Sequence, residues 1–339
     1  MNRIIPTALA AAALATSVPI GIGVAEAART VYIAGTREIT ADREVTVSEY
    51  EKITGSRYDS PQDQDFIVQY NRELAPFIGT TFLDRSVAGG VKATPVLQDG
   101  DRQVCVSQGC LVAAGAANQN PVALAAHFDQ YGDPTNRDGG LVTKLPFIPT
   151  VPRTPAAPLP ENSTRTTWSI EREIIADAPD VPVWQNPLAW AESVASGIEN
   201  HSKYSQAYLD EQVAAGKVVE VADDDNNPND KHYLVKRDQL SITRPVRDLE
   251  YGLTRQNRGT DALDDALRPI INKGWKGDRT GTLVTSGPKP QKDEEAKDDN
   301  DTTSAQRRNG ASEGASGVSR DQKDDRPSDS DSGSGAGQD

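Results

Sequence analysis

The run Cys105-Val106-Ser107-Gln108-Gly109 places a serine between a β-branched stretch and a helix-forming one. That is the setting of a nucleophile elbow, whose usual pattern is GxSxG. A strained strand-to-helix turn lifts the hydroxyl to the sheet edge, and small residues on either side let the helix start fold back against the strand. Gly109 meets the second requirement, while Cys105 stands where the first glycine is usual. Taken alone, SxG in such a place also describes an ordinary surface serine. A nucleophile needs a base and an acid, which in α/β-hydrolases follow in the order serine, acid, histidine. The chain has three histidines. His127 lies in or beside a strand, ahead of the plausible acids, and His232 opens the strand-like His232-Tyr233-Leu234-Val235, so both read as packed or solvated. His201 follows a helix in a polar turn with Asn200 and Ser202, a position from which a base can reach a serine. Asp177 is expected directly after a strand ending at Ala176, where the acid belongs, with Glu173 and Asp180 as neighbours.

The elements that must position these groups are short and alternate in type. Thr30 to Ala34, Phe66 to Tyr70 and Gln103 to Val106 read as strands, and Leu111 to Ala117 as the helix after the serine. Val122 to Phe128 and Trp168 to Ala176 are further strand candidates. Leu188, Ala191, Val194, Ala195 and Ile198 recur at helical spacing, opened by Asn186 as N-cap and Pro187 in the first turn. The alternation predicts an α/β fold, a mostly parallel sheet with helices on both faces. Between Pro146 and Pro160 proline recurs about every third residue, which favours extended backbone. That segment is either a stiff surface connection or a flap over a cleft.

Charge and termini limit the function classes. A formal charge of −14 offers no footprint for a phosphate backbone, so no nucleic-acid partner is expected. Two cysteines and three histidines, with no HExxH or CxxC, build no zinc site. Residues 1–27 carry Arg3, an alanine-rich apolar run and Ala25-Glu26-Ala27, the pattern of a signal peptide cleaved after Ala27; an uncleaved anchor is the alternative. Residues 286–339 are rich in Asp, Ser and Gly and almost free of apolar residues, which predicts a disordered tail. The folded domain is expected over 28–285.

Five segments in order carry a family resemblance. VCVSQGCLVAAGA matches a nucleophile segment often written GYSQGA, and QYGDPTNRDGGLVTKLP is similar to a GDPxRPNGG stretch. IADAPDVPVWQNPLAWAESVASGIENHSKY resembles IADFPDRPLNPLAVxNAxxGIxxxHxxY. QYNRELAPFIG is similar to YPAxxAPFxG, and KHYLVKRDQLSITRPVRDL to YYLIPTxxLPLLxPLR. In these the chain, from about Val31 to Leu249, resembles the PE-PPE domain, a cutinase-like serine α/β-hydrolase module of mycobacteria and related actinobacteria. The resemblance implies Ser107 as nucleophile, His201 as base within HxxY, and Asp177 as acid, with Glu173 on a second acidic position of the pattern. The chain departs from the pattern at Cys105 and in having no PE or PPE helical module before the domain.

The activity so implied is that of a secreted serine esterase or lipase working on acyl esters, with no cofactor and no metal. An acyltransferase onto trehalose-type glycolipids, and a non-catalytic envelope protein on the same fold, are the alternatives. The substrate would be an acyl ester or glycolipid, with contact to cell-envelope lipid and no obligate protein partner. The oxyanion would be held by the backbone N–H groups of Gln108 and of Thr36, in the Ala34-Gly35-Thr36 turn. Cys105 and Cys110 flank the serine where an elbow reverses the chain, so they are expected either as a disulfide or as two buried thiols.

Overall fold

The computed structural model describes residues 29–36, 44–55, 65–75, 79–119, 125–145, 158–221, 227–277 and 279–285. The expected signal peptide, the tail and most of the proline-rich connection lie outside them. No helix among the described residues is long and apolar enough to cross a membrane.

β1 (Thr30–Ile33) is buried along its whole length, as a strand covered on both faces must be. It pairs in parallel with β2 (Phe66–Ile67) on one side and β3 (Arg102–Val106) on the other. From β3 the sheet grows in parallel through β4 (His127–Tyr131) and β5 (Thr164–Ile170) to β7 (Asp230–Val235). β6 (Val218–Val221) runs antiparallel to β7, and β8 (Thr282–Leu283) antiparallel to β6. The spatial order is β2-β1-β3-β4-β5-β7-β6-β8. The chain moves outward from β1 to β2, then crosses back to β3, so the carboxyl ends of β1 and β3 flank a topological switch point, where open α/β sheets bind ligands.

Alternation along the strands feeds two cores. Tyr32 and Val104 pack with α1 (Val47–Thr54) and α6 (Gln206–Ala214) through Tyr50, Ile53, Leu209 and Val213. Val31, Ile33 and Cys105 point the other way, toward α2 (Leu83–Ala93) and α3 (Gln108–Gln119). A third, smaller core joins α5 (Pro187–Asn200) to α8 (Arg258–Asn272) through Ala189, Leu240, Ile271 and Trp275.

Three expectations need correction. The second strand is reduced to Phe66–Ile67. β4 begins at His127, and residues 122–124 of the expected strand lie outside the described set. The strand expected over 168–176 is β5, which starts earlier and stops at Ile170. After Ile170 the chain turns, with Arg172 at φ 64° and Glu173 N–H donating to Ile170 O (3.1 Å). Left-handed backbone at Arg172 ends the ladder although Ile174 and Ile175 have strand-forming side chains.

α5 starts as its sequence predicts, with the Asn186 side chain accepting from Ala189 N–H. Its inner face, however, is Ala189, Glu192, Ser193, Ser196, Gly197 and Asn200, and the apolar stripe of Leu188, Val194 and Ile198 is exposed. Polar groups do the fastening. Glu192 accepts from Ser241 N–H (3.0 Å) and Ile242 N–H (2.8 Å). The same segment is held from the other side by Asp264 of α8, which accepts from Leu240 N–H (3.0 Å), Thr243 Oγ1 (2.5 Å) and Arg247 Nη2 (2.7 Å). Removing one partner of a buried ion pair strands the other charge, at about 3–5 kcal/mol. Asp264→Ala is therefore expected to lower unfolding free energy by about that amount, and Asp264→Leu with Arg247→Met by much less. Urea denaturation of the two variants checks the ranking; equal losses would show that the ion pair is not the source.

Candidate active site

Ser107 sits between the end of β3 and the start of α3 with φ 50°. A non-glycine residue in this region is strained, and here the strain points the hydroxyl away from the sheet. Its backbone is held on both sides: Ser107 N–H donates to Tyr131 O (2.8 Å), and Cys110 N–H donates to Ser107 O (2.9 Å). Gly109 is required by contact. A Cβ there would lie 2.1 Å from Ile33 O and 2.6 Å from Ala34 O, both backbone atoms of the end of β1 and the residue after it. Cys105 and Cys110 form a disulfide with Cα atoms 5.0 Å apart, so the two residues flanking the elbow are covalently joined.

His201 follows α5 with helical backbone, and its Nε2 lies 2.6 Å from Ser107 Oγ. Its Nδ1 lies 3.2 Å from Glu173 Oε1. The carboxylate that meets the imidazole is thus Glu173 and not Asp177. Glu173 is wholly buried and also accepts from Ile175 N–H (3.0 Å) and Ala176 N–H (3.0 Å), which fix its direction. Asp177 turns elsewhere: one oxygen accepts from Arg172 N–H (2.5 Å) and meets the Arg279 guanidinium, while its carbonyl accepts from Trp275 Nε1 (3.1 Å). Asp180 pairs with Lys144 (2.5 Å). The reason for the displacement is the strand end. β5 stops at Ile170; Glu171, the first acid beyond it, is engaged by Lys236 (2.5 Å) and Arg237 N–H (2.9 Å), and Glu173 is the next.

Burial works against a charged His201, but the Glu173 carboxylate outweighs it by charge and by hydrogen bonding, so the imidazole pKa is raised above its ordinary 6.5. Tyr204 stands edge-on to the ring, centroids 6.0 Å apart, and accepts from Ile170 N–H through its hydroxyl (3.0 Å). The GDP stretch supplies the opposite wall. Gly132 has φ 60°, and a Cβ there would lie 2.7 Å from the Tyr204 ring and 3.2 Å from His201 Cε1. Further along that loop, Leu141 N–H donates to Ile175 O (2.9 Å) and Ala178 N–H to Gly139 O (2.7 Å), so it braces the turn that carries Glu173.

Gln108 and Thr36, expected to offer backbone N–H groups, are joined here through their side chains. Thr36 Oγ1 donates to Gln108 Oε1 (2.8 Å), and Gln108 Nε2 donates to Ser86 Oγ (2.6 Å). This chain of side chains fastens the Ala34-Gly35-Thr36 turn to the first residue of α3, whose N–H groups have no partner within the helix and carry its positive dipole end.

The remaining histidines are elsewhere. His127 in β4 lies 2.8 Å from Thr164 Oγ1, its pKa lowered by burial and by Arg102. His232 in β7 lies 3.0 Å from Ser169 Oγ and 3.4 Å from Asp138, which imitates a triad on paper. Ser169 is fully buried inside β5, where no ester can reach it. Among the described residues no three His, Cys, Asp or Glu side chains converge as a metal site. For the elbow, Gly109→Ala is expected to cost on the order of 3 kcal/mol, since the methyl meets backbone rather than a movable side chain. A thermal or urea melt within about 0.5 kcal/mol of the parent would show that β1 and α3 can part more easily than this contact implies.

Comparison with known proteins adds identity to this geometry. No curated protein matches the chain. A solved structure from Pectobacterium atrosepticum, named for its likeness to YdeN hydrolases, aligns with TM-score 0.29 and 12% identity over 72% of this chain and 93% of that one. The model of the PE-PPE domain matches residues 61–276, and the chain belongs to the PE-PPE domain family.

Proposed function

We propose that the protein is an exported serine esterase that hydrolyses acyl esters through an acyl-serine intermediate. The observation that carries this reading is the 2.6 Å contact of Ser107 Oγ with His201 Nε2 on a left-handed elbow. With Nδ1–H facing Glu173, the Nε2 lone pair faces the serine hydroxyl and takes its proton as Oγ attacks the ester carbonyl. Glu173 holds that tautomer and stabilises the imidazolium that forms. The carbonyl oxygen becomes an oxyanion at the start of α3, where the Gln108 and Thr36 backbone N–H groups receive it; one such donor is worth about 2.7–4 kcal/mol. His201 then returns the proton to the leaving alcohol. Water, deprotonated by the same imidazole, frees the acyl group and restores the serine.

Turnover of p-nitrophenyl butyrate tests the reading, together with mapping of a fluorophosphonate adduct to Ser107. Ser107→Ala and His201→Ala are expected to lower kcat by about 10⁴-fold or more, and Glu173→Gln by about 10³–10⁴-fold. Asp177→Asn is expected to act through stability, by freeing Arg279, and to leave the pH profile unchanged. Equal kinetic losses in Glu173→Gln and Asp177→Asn at equal stability would overturn the assignment of the acid.

The pH dependence has a definite sign. The base must be neutral, so kcat/KM rises with pH through the His201 titration. Glu173 raises that pKa, which puts the limb above 6.5. In Glu173→Gln the opposing effect of burial is left alone, and the limb is expected to move to lower pH. A limb that stays in place would show that Glu173 does not act on the imidazole.

A further inference from the structure

α5 turns the apolar side of its sequence outward. Single exposed apolar residues are common on any surface, but Val194 and Ile198 form part of a stripe, exposed to 48% and 84%. Positions 194, 198 and 201 fall on one side of the helix, so the stripe ends at the histidine that meets Ser107. Trp184, ahead of the same helix, is 79% exposed. α7 (Arg244–Thr254) repeats the inversion: its buried residue is Arg247, while Val246, Leu249 and Leu253 are exposed.

The two helices meet at a cationic junction. Glu199 in the last turn of α5 lies 3.1 Å from Arg237, 3.6 Å from Lys203 and 3.9 Å from Arg244, the first residue of α7. Asp248 adds one further carboxylate, 3.7 Å from Arg244. Three cations thus face two carboxylates, in a chain of net charge −14. Burial and the Arg237 charge lower the Lys203 pKa, a sign of how closely these cations are held. An apolar helical stripe flanked by Lys and Arg is the composition of a helix lying in a bilayer interface.

We propose that the outward faces of α5 and α7 dock the protein on a bilayer bearing anionic headgroups, with His201 at the edge of the contact. The proposal rests on the acyl-ester reading of the site, because the stripe then leads the lipid toward the serine. A permanently bound protein on the same stripe would crowd His201, where the stripe ends. A lipid surface delivers the ester and covers the apolar residues in one contact.

The test is co-sedimentation of the full chain with vesicles of phosphatidylcholine and phosphatidylglycerol in equal parts, read beside turnover of soluble p-nitrophenyl acetate. Ile198→Ser with Leu249→Ser is expected to weaken vesicle binding at least about tenfold. Melting temperature and acetate turnover should stay within about twofold of the parent, since both side chains lie on the surface. Binding of the parent should weaken with added salt and on vesicles of phosphatidylcholine alone. Failure of the parent to sediment with vesicles, or equal binding by the double variant, would overturn the proposal. So would a dimer in light scattering that the double variant dissolves, which assigns the face to a second copy. Vesicle binding by a chain that turns over no ester would sink the esterase reading and leave the docking face standing.

Discussion

The contact between Ser107 Oγ and His201 Nε2 joins residues 94 positions apart, and each end is set by a different part of the fold. The serine end depends on the closeness of β1 and α3, which Gly109 permits and the Cys105–Cys110 disulfide braces. The histidine end depends on where α5 stops, and α5 is fastened less by apolar packing than by Glu192 and Asn200 reaching the segment after β7. A shift of about 1 Å at either end would break a hydrogen bond whose useful range is only about 2.6–3.2 Å. The sheet supplies a rigid frame for this, because its parallel strands end at one edge and both residues stand at that edge.

Much of this was legible in the residues. The serine, its helix, the histidine and the N-cap of α5 all follow from local pattern, because an elbow and a cap are local structures. The acid was not legible in the same way. Ile174 and Ile175 extend the β-branched run of β5, so pattern alone carries the strand to Ala176 and selects Asp177. What ends the strand is the left-handed turn at Arg172, a residue type that does not announce such a conformation. The pairing of β5 with β7 up to Ile170↔Val235 sets the limit, and that is a tertiary fact. The match to a second acidic position at Glu173 was the signal that pointed past the error.

Helical periodicity was equally reliable about existence and misleading about direction. The stripe that marks α5 as a helix is its outer face, and the buried face is small or polar. A moment computed from sequence locates an apolar side but assumes that it points inward. Here the assumption fails for α5 and α7 together, and both failures lie beside the same end of the sheet. Local rules that fail in a group near a candidate site are expected where function, rather than stability, has set the residues.

The acidic composition has a structural share as well as a surface one. Glu73 accepts from Thr80 and Thr81 N–H, Glu171 from Arg237 N–H, Glu173 from Ile175 and Ala176 N–H, Glu192 from Ser241 and Ile242 N–H, and Asp264 from Leu240 N–H. Each is buried. In every case a carboxylate replaces the strand or helix that would otherwise satisfy those backbone donors, which cannot be left unpaired inside a protein. Loops fixed in this way can be irregular and still rigid. Glu173, the carboxylate that meets His201, is one member of that set. Glu173 fastens its own turn through two backbone N–H groups, and the oxygen that accepts from Ile175 N–H is the one that faces His201 Nδ1. Its contact with the imidazole is therefore built on a device the fold uses repeatedly.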